Sequence, residues 1–262
     1  MSATRADTWL RRYRPSPRPR LLLVCLPHAG GSAQFYRTWA LRFPPGIEVV
    51  AVQYPGRAER SREPFRTDLR TLAGEVATAL DTELGEDATT VPVALFGHSL
   101  GAAVAFEVAL ARSRSGAPPV HLFVSGRPAP VWPGVRHLAG DDEMWEDACR
   151  LGGTPAELAD DPDVKAMALP ALRADYALSE TYTGDPTATV ECPITAHAGR
   201  EDPEVDPDAM KAWAACTTDP DFELRTYSGD HFFLVPMRHA VVSDVLRRLT
   251  PHLPGQLWPS TP

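Results

Sequence analysis

Few cysteines and no long apolar run occur in the sequence, and each shortage excludes a class of protein. Only four of the 262 residues are cysteine, with no Cys-X-X-Cys pair and no zinc-like spacing to histidine. We therefore expect no metal site, and free thiols in a reducing cytoplasm. No apolar stretch approaches the roughly 20 residues of a membrane span. The run Leu21–Leu26 is also shorter than the roughly 7–15 residues of a signal-peptide core, so we expect no export.

An excess of positive charge is also missing. The formal net charge is −8 at pH 7, whereas nucleic acid selects basic surfaces, so we expect no nucleic-acid partner. The sequence contains no internal repeat. Its 44% hydrophobic residues are ample for a sizeable core, and its length favours one large α/β domain.

A strand–turn–helix motif is the feature around which the chain is organised. The apolar run at 91–96 leads into Gly97-His98-Ser99-Leu100-Gly101, and an Ala-rich stretch at 102–109 follows without a gap. In this context a Gly-X-Ser-X-Gly turn predicts a serine nucleophile on a sharp bend. Because the bend forces a sparsely populated backbone conformation and a close approach of the chain, glycine is favoured on both sides. We therefore interpret Ser99 as the nucleophile.

Short apolar segments alternate with amphipathic segments along most of the chain. Besides the run before Ser99, strands are predicted at 21–26, 47–52, 120–124, 194–198 and 222–226, and helices at 34–43, at 68–84 and in a closing segment that contains Val241 and Leu249. This alternation indicates an α/β fold with a mostly parallel central sheet and helices on both faces.

The alternation stops between residues 127 and 188, where helix-like segments carry many apolar side chains. We interpret 127–188 as a helical insertion packed over the carboxyl ends of the strands, and hence as a lid. The α/β core then consists of residues 21–126 and 189–254. Residues 1–20, rich in Arg and Pro, are expected to be an irregular N-terminal segment, and 255–262 a C-terminal tail.

A serine hydroxyl becomes a good nucleophile only beside a base and a group that orients the base. On turns of this kind the order along the chain is serine, acid, histidine. Of the histidines after Ser99, only His231 lies in a Gly-containing loop just after the last predicted strand, Ser228-Gly229-Asp230-His231. We therefore predict that His231 is the base.

The acid is expected on a loop after one of the later strands. The loop after the strand at 120–124 has no carboxylate, whereas residues 199–206 offer four. We choose Asp202, because a residue before proline favours extended geometry and its short side chain has a fixed reach. Glu201 and Asp206 remain alternatives. Asp230 is interpreted as a salt-bridging neighbour instead.

Two backbone N–H groups are expected to bind the negative charge that develops on the substrate. The Leu100 amide lies in the first helical turn, where N–H groups lack internal partners and the helix dipole favours negative charge. The second donor is expected in the loop after the first strand, where lipases carry a His-Gly-Gly-Gly-type motif. His28-Ala29-Gly30-Gly31 occupies that loop, and we assign the Ala29 amide to this role.

These motifs together resemble the type II thioesterases that accompany polyketide synthases and nonribosomal peptide synthetases, members of the α/β-hydrolase superfamily. The matching segments lie in the family's order and cover about residues 21–250. They are Leu26-Pro27-His28-Ala29-Gly30-Gly31, Gln53-Tyr54-Pro55-Gly56-Arg57, Phe96-Gly97-His98-Ser99-Leu100-Gly101-Ala102, Ser125-Gly126-Arg127-Pro128-Ala129-Pro130, Leu172-Arg173-Ala174-Asp175-Tyr176 with Glu180-Thr181-Tyr182, and Gly229-Asp230-His231-Phe232-Phe233.

The resemblance implies hydrolysis of acyl groups from the phosphopantetheine thiol of an acyl or peptidyl carrier protein, which removes aberrant or stalled units. It supports Ser99, Asp202 and His231 as a catalytic triad, with a mobile lid over an acyl chamber. Because the substrate carries the phosphopantetheine, no cofactor is expected. We expect a stand-alone enzyme that acts as a monomer.

Four arginines follow the second predicted strand, on a loop that a parallel sheet places at the catalytic edge. They are Arg57, Arg60, Arg62 and Arg66. Because carrier proteins are generally acidic, as this chain is, these arginines are a candidate local docking patch. His28 and His98 are further candidates for contact with the substrate or carrier. The residues alone leave two other functions open: a serine esterase or lipase on small esters, and an acyltransferase or cyclase that uses the same triad.

Overall fold

A seven-stranded sheet lies at the centre of the residues that the computed structural model describes, 8–154 and 156–253. The strands are β1 Leu10–Arg12, β2 Leu21–Leu26, β3 Ile47–Val52, β4 Val93–His98, β5 His121–Ser125, β6 Ile194–Gly199 and β7 Phe222–Tyr227. Their order is β1-β3-β2-β4-β5-β6-β7; β1 is antiparallel to β3, and the remaining pairings of this sheet are parallel. The carboxyl ends of β2 to β7 therefore meet at one edge.

Helices cover both faces of the sheet. They are α1 Leu69–Leu84, α2 Leu100–Arg114, α3 Asp141–Arg150, α4 Pro162–Glu180 and α5 Arg238–Leu249. On one face, α1 and α2 share a core with Leu22 and Val24, and on the other face α5 shares a core with Leu21 and Leu23. Successive strand residues point to opposite faces, which explains why β2 is apolar throughout. None of these described helices combines the length and apolar character of a membrane crossing.

The six predicted strands and the α/β fold are confirmed, but the helix predicted over 34–43 is wrong. The chain instead forms a 3-10 helix at Ala33–Tyr36, and the Trp39 N–H continues the pattern by donating to Tyr36 O at 3.0 Å. Ala33, Tyr36 and Trp39 are all buried. A three-residue repeat of buried side chains matches the 3-10 helix rather than the α-helix.

The N-terminal segment predicted to be irregular contains the edge strand β1. Trp9 and Leu10 are buried, and the Gln53 N–H donates to Trp9 O at 2.7 Å. Arg12 forms an ion pair with Glu48 at 2.8 Å. Because these partners lie far along the chain, the local pattern of Arg and Pro does not reveal the strand. Residues 1–7 and the predicted tail 255–262 lie outside the described residues.

Residues 127–188 contain the two helices α3 and α4, with 3-10 turns at Arg136–Leu138 and Ala156–Leu158. The helices share a small core of their own, made by Met144, Trp145, Ala148, Leu172 and Tyr176. Side chains of this insertion line one cavity together with residues from the loops after β2, β4, β6 and β7. The insertion therefore lies over the carboxyl edge of the sheet.

Arg127 joins the two ends of the insertion. Its side chain is fully buried and donates to Ser179 Oγ at 2.7 Å and to Pro130 O at 2.9 Å. Its own carbonyl accepts a hydrogen bond from Trp213 Nε1 at 2.6 Å. The start of the insertion is thereby fixed both to the end of α4 and to the core.

Candidate active site

Ser99 occupies a strained turn between β4 and α2. Its φ is +54° and its ψ is −120°, a region that non-glycine residues rarely adopt. A Cβ added to Gly97 would lie 2.0 Å from Gly101 O, and one added to Gly101 would lie 2.1 Å from Leu26 O. Only glycine fits at either position, which confirms the predicted close approach. The Ser99 N–H donates to Ser125 O at 2.7 Å and anchors the turn to β5.

His231 and Asp202 form a buried pair at the same edge. Their Nδ1 and Oδ2 atoms are 2.8 Å apart, and both side chains are almost completely buried. The second Asp202 oxygen accepts hydrogen bonds from the N–H groups of Glu204 and Val205 at 2.9 and 3.3 Å. The carboxylate therefore keeps its orientation and places the Nδ1 proton of His231 toward itself. This tautomer leaves Nε2 as an acceptor, and His231 lines the same cavity as Ser99.

The alternative acids have other partners. Glu201 is exposed and accepts a hydrogen bond from the Gly229 N–H. Asp206 is exposed and caps the 3-10 helix Pro207–Cys216, where it accepts from Asp208 N at 2.9 Å. Asp230 accepts from Phe232 N at 2.8 Å. Among the candidate acids, the contact with His231 Nδ1 belongs to Asp202.

The two predicted oxyanion donors come from different segments of the chain. Ala29 belongs to the loop after β2 and Leu100 is the first residue of α2, and both line the cavity with Ser99. The loop after β2 is tightened by a hydrogen bond from Gly31 N to His28 O at 3.0 Å. Two backbone segments therefore border the cavity beside the serine, and the role of their N–H groups as oxyanion donors stays a prediction.

His28 lies in the cavity wall, whereas His98 lies behind it. The His28 ring packs edge-on against Phe35 and Phe232, with ring centroids 4.8 and 4.7 Å apart. Burial, and secondarily His231 and Arg57, lower the pKa of His28 to about 3, so this ring is neutral at physiological pH.

His98 does not reach the cavity that Ser99 lines. Its side chain is fully buried, its Nδ1 is 3.0 Å from Ser125 Oγ, and its ring centroid is 5.0 Å from that of His231. Burial and the neighbouring histidines hold the pKa of His98 well below its ordinary value. His98 is therefore a neutral packing partner of His231, which corrects the prediction of contact with substrate or carrier.

Arg57 and Arg60 are buried and cannot form the predicted docking patch. Arg57 is 9% exposed and makes two hydrogen bonds to Asp175 of α4, at 2.5 and 2.7 Å. Arg60 is 4% exposed, donates to Gln53 O at 2.8 Å and lies 3.9 Å over the Trp9 ring. Both cations stabilise contacts between distant segments, which the sequence does not indicate.

A cavity of about 320 Å³ joins Ser99, His231 and Ala29. The insertion supplies apolar side chains to its wall, among them Trp132, Val135, Ala148, Leu151, Leu172 and Tyr176. A partly open cavity with a largely apolar wall beside a serine suits the acyl part of a substrate. Over residues 8–154 and 156–253, no group of three His, Cys, Asp or Glu side chains is arranged to hold a metal ion.

The cavity wall also contains charged side chains that the sequence motifs do not single out. Arg136 forms ion pairs with Glu204 and, at 3.1 Å, with Asp147. Glu180 accepts hydrogen bonds from the N–H groups of Arg136 and His137, at 3.1 and 3.0 Å. These partners are distributed over the insertion and the loop after β6, so no spacing in the sequence would have found them.

The serine turn after a central strand, with a histidine–aspartate pair at the same edge of a mostly parallel sheet, defines a serine hydrolase of the α/β-hydrolase class. More narrowly, the chain belongs to the thioesterase family, because the family model described as "Thioesterase domain" matches residues 22–250. It is a thioester hydrolase.

Individual relatives resemble the chain over nearly its whole length. It is 42% identical over 248 residues to the probable cadicidin biosynthesis thioesterase of Streptomyces griseus, covering 94% of this chain and 67% of the relative. It is 40% identical over 240 residues to thioesterase PikA5 of Streptomyces venezuelae, covering 90% and 84%. The solved structure of the type II thioesterase BorB, from the borrelidin biosynthetic cluster, is 41% identical with a TM-score of 0.84, covering 94% and 100%.

Proposed function

We propose that this protein is a type II thioesterase that hydrolyses acyl thioesters on the phosphopantetheine arm of carrier proteins. It would thereby remove aberrant or stalled acyl groups in polyketide or nonribosomal peptide biosynthesis. The observation that carries the proposal is the buried His231–Asp202 pair, 2.8 Å apart, beside the cavity that Ser99 lines. The names of its relatives, a biosynthesis thioesterase and a type II thioesterase, support this substrate class.

In the first half of the reaction, His231 Nε2 takes the proton of Ser99 Oγ as the oxygen attacks the thioester carbon. The carbonyl electron pair moves onto its oxygen, where the N–H groups of Ala29 and Leu100 stabilise the negative charge. The carbon–sulfur bond then breaks, and His231 gives its proton to the departing thiolate, which leaves as the thiol. Asp202 holds the imidazole in the required tautomer and stabilises its charged form.

In the second half, water replaces the thiol. His231 takes a proton from the water, the hydroxide oxygen attacks the acyl-Ser99 ester, and the free acid leaves as Ser99 Oγ regains its proton. The apolar side chains of α3 and α4 hold the acyl group during both halves. The apolar part of the chamber wall suits the hydrocarbon part of an acyl group.

We further infer that the macromolecular partner is an acyl or peptidyl carrier protein. With Arg57 and Arg60 buried and Arg66 paired to Glu75 at 2.8 Å, the exposed Arg62 is the remaining docking candidate of the arginine cluster. The triad supplies the nucleophile and the proton transfers, so the proposed reaction requires no cofactor besides the phosphopantetheine of the substrate. We infer a monomer in the cytoplasm; all four cysteines are unpaired, as in a reducing compartment.

Single-turnover hydrolysis tests the proposal, with acyl groups of increasing length presented on a carrier protein, on a simple thiol and as nitrophenyl esters. We expect the carrier-bound thioesters to react fastest, and Ser99→Ala to abolish turnover with a melting temperature near that of the wild type. Turnover by the folded Ser99→Ala variant would refute the triad. Equal rates on free esters would indicate an esterase or lipase, and transfer to an added amine or alcohol would indicate an acyltransferase.

A further inference from the structure

The loop that carries the proposed oxyanion donor Ala29 is held by the insertion as well as by the sheet. The Gly30 N–H donates to Asp175 Oδ2 at 2.7 Å, and Asp175 lies on α4. Arg57 donates to the same carboxylate oxygen at 2.5 Å and to Gly31 O at 3.2 Å. The two residues that follow Ala29 are therefore fixed through one ion pair.

Direct packing joins the same loop and helix. Gly30 has a φ of +73°, and a Cβ added there would lie 2.7 Å from Leu172 Cδ2. Leu172 precedes Asp175 by three positions, so the two side chains lie on one face of α4. This face of α4 therefore rests on the peptide next to Ala29, both by apolar contact and by hydrogen bonds.

The buried ion pair between Asp175 and Arg57 can fix the position of the loop after β2. Asp175 and Arg57 are 4% and 9% exposed, and the carboxylate accepts three N–H bonds: one from Gly30 and two from Arg57, the second at 2.7 Å on Oδ1. An asparagine in this place would direct its NH₂ group at one of these donors, because an amide has only one acceptor atom. The carboxylate is thus specifically required by its surroundings.

We propose that Asp175 is a positioning residue of the oxyanion loop, so that α4 must be seated on the core for the Ala29 N–H to meet the developing oxyanion. This inference rests on the proposed role of the Ala29 amide. According to this proposal, the insertion helps to stabilise the transition state in addition to forming the wall of the chamber. A loop released from Asp175 still binds substrate but stabilises the tetrahedral state poorly, which lowers kcat and leaves KM unchanged.

The test compares Asp175→Asn with the wild type on one carrier-bound thioester. Loss of a single oxyanion donor costs about 10²–10³ in kcat, so a displaced donor should lower kcat about 10- to 100-fold, with KM within about twofold. A trifluoromethyl ketone inhibitor should bind more weakly by the same factor. Its carbonyl carbon bonds to Ser99 Oγ, its oxygen becomes an oxyanion, and His231 takes the serine proton. This second measurement separates positioning from a loss of folded protein.

Asp81→Asn is the matched control, because it breaks the ion pair of α1 with the buried Arg112, and α1 contributes nothing to the chamber wall. Its kcat and inhibitor affinity should equal those of the wild type. If Asp175→Asn does not fold, Arg57→Met combined with Asp175→Leu removes the buried charges together, which proteins tolerate better than an unpaired charge. That variant should show the same fall in kcat.

Wild-type kcat in either folded variant, or a rise in KM at constant kcat, would overturn the role of Asp175. Equal losses in Asp81→Asn would overturn it too, because the effect would then be general. An inactive Ser99→Ala variant beside an unaffected Asp175→Asn variant would refute this inference alone. Activity in the folded Ser99→Ala variant would refute the proposed function itself.

Discussion

Replacing Asp202 by asparagine should reverse the tautomer of His231. One Asp202 oxygen accepts the N–H groups of Glu204 and Val205, at 2.9 and 3.3 Å, and the other faces His231 Nδ1 at 2.8 Å. The asparagine oxygen has to remain with the two backbone donors, because an NH₂ group there would meet their protons. Its NH₂ group then donates to Nδ1, and the imidazole proton moves to Nε2.

A His231 ring protonated at Nε2 cannot take the proton of Ser99. At Ser-His-Asp sites this change lowers kcat about 10⁴-fold, which corresponds to about 5 kcal/mol of transition-state stabilisation. We expect that loss for Asp202→Asn in single-turnover hydrolysis of a carrier-bound thioester. Since the two side chains have nearly the same shape, the melting temperature should change little.

Glu201→Gln and Asp206→Asn are the controls for this experiment, since both acids lie on the same loop and contact other groups. We expect each to keep kcat within about threefold, because glutamine and asparagine retain a carbonyl oxygen that can accept these backbone N–H bonds. A loss of about 10⁴ in either control, together with an active Asp202→Asn enzyme, would refute the assignment of the acid.

Two further predictions concern stability. Burial lowers the pKa of His28 and of His121 to about 3, from an ordinary value of about 6.5, so below pH 6.5 the unfolded chain binds protons that the folded chain excludes. The free energy of unfolding should therefore fall by about 2 kcal/mol per histidine between pH 7 and 5. Urea unfolding at several pH values should show that His121→Gln removes the part of this fall that is due to His121. An unchanged pH dependence in that variant would contradict the prediction. Gly101→Ala should lower the free energy of unfolding by about 3 kcal/mol, because its Cβ would lie 2.1 Å from Leu26 O. Gly74→Ala on α1 should instead raise it by about 0.5–1 kcal/mol, because nothing lies within 4 Å of a Cβ there. Similar urea midpoints for these two glycine variants would contradict the close approach at the serine turn.

The parts of the structure that the sequence predicts best depend on local patterns. The turn around Ser99 is encoded within five residues, Gly97 to Gly101, and the strands are short apolar runs between turn signals. The positions of His231 and Asp202 follow from the order of strands in a parallel sheet, since their loops must open at one edge. In the structure, Nδ1 of His231 and Oδ2 of Asp202 lie 2.8 Å apart.

The parts that the sequence does not predict depend on distant partners. From the sequence, Arg57 is predicted to be a surface cation. In the structure it is buried against Asp175, which lies 118 positions further along the chain. The strand β1 is likewise formed by pairing with β3, and its own Arg-rich sequence gives no strand signal. Buried charges and edge strands are stabilised by tertiary contacts, which composition and periodicity do not contain.

The bond between Arg127 and Ser179 connects residues 52 positions apart and turns the insertion into a loop with fixed ends. The entropy of closing a loop grows only slowly with its length, so a longer or shorter connection between α3 and α4 should cost the core little. The face of α4 that carries Asp175 has to be kept, as do Arg136 and Glu180, which hold the insertion together and join it to the loop after β6. Evolution or design can therefore vary the other side chains of the acyl chamber while these contacts keep the insertion in place over the catalytic edge of the sheet.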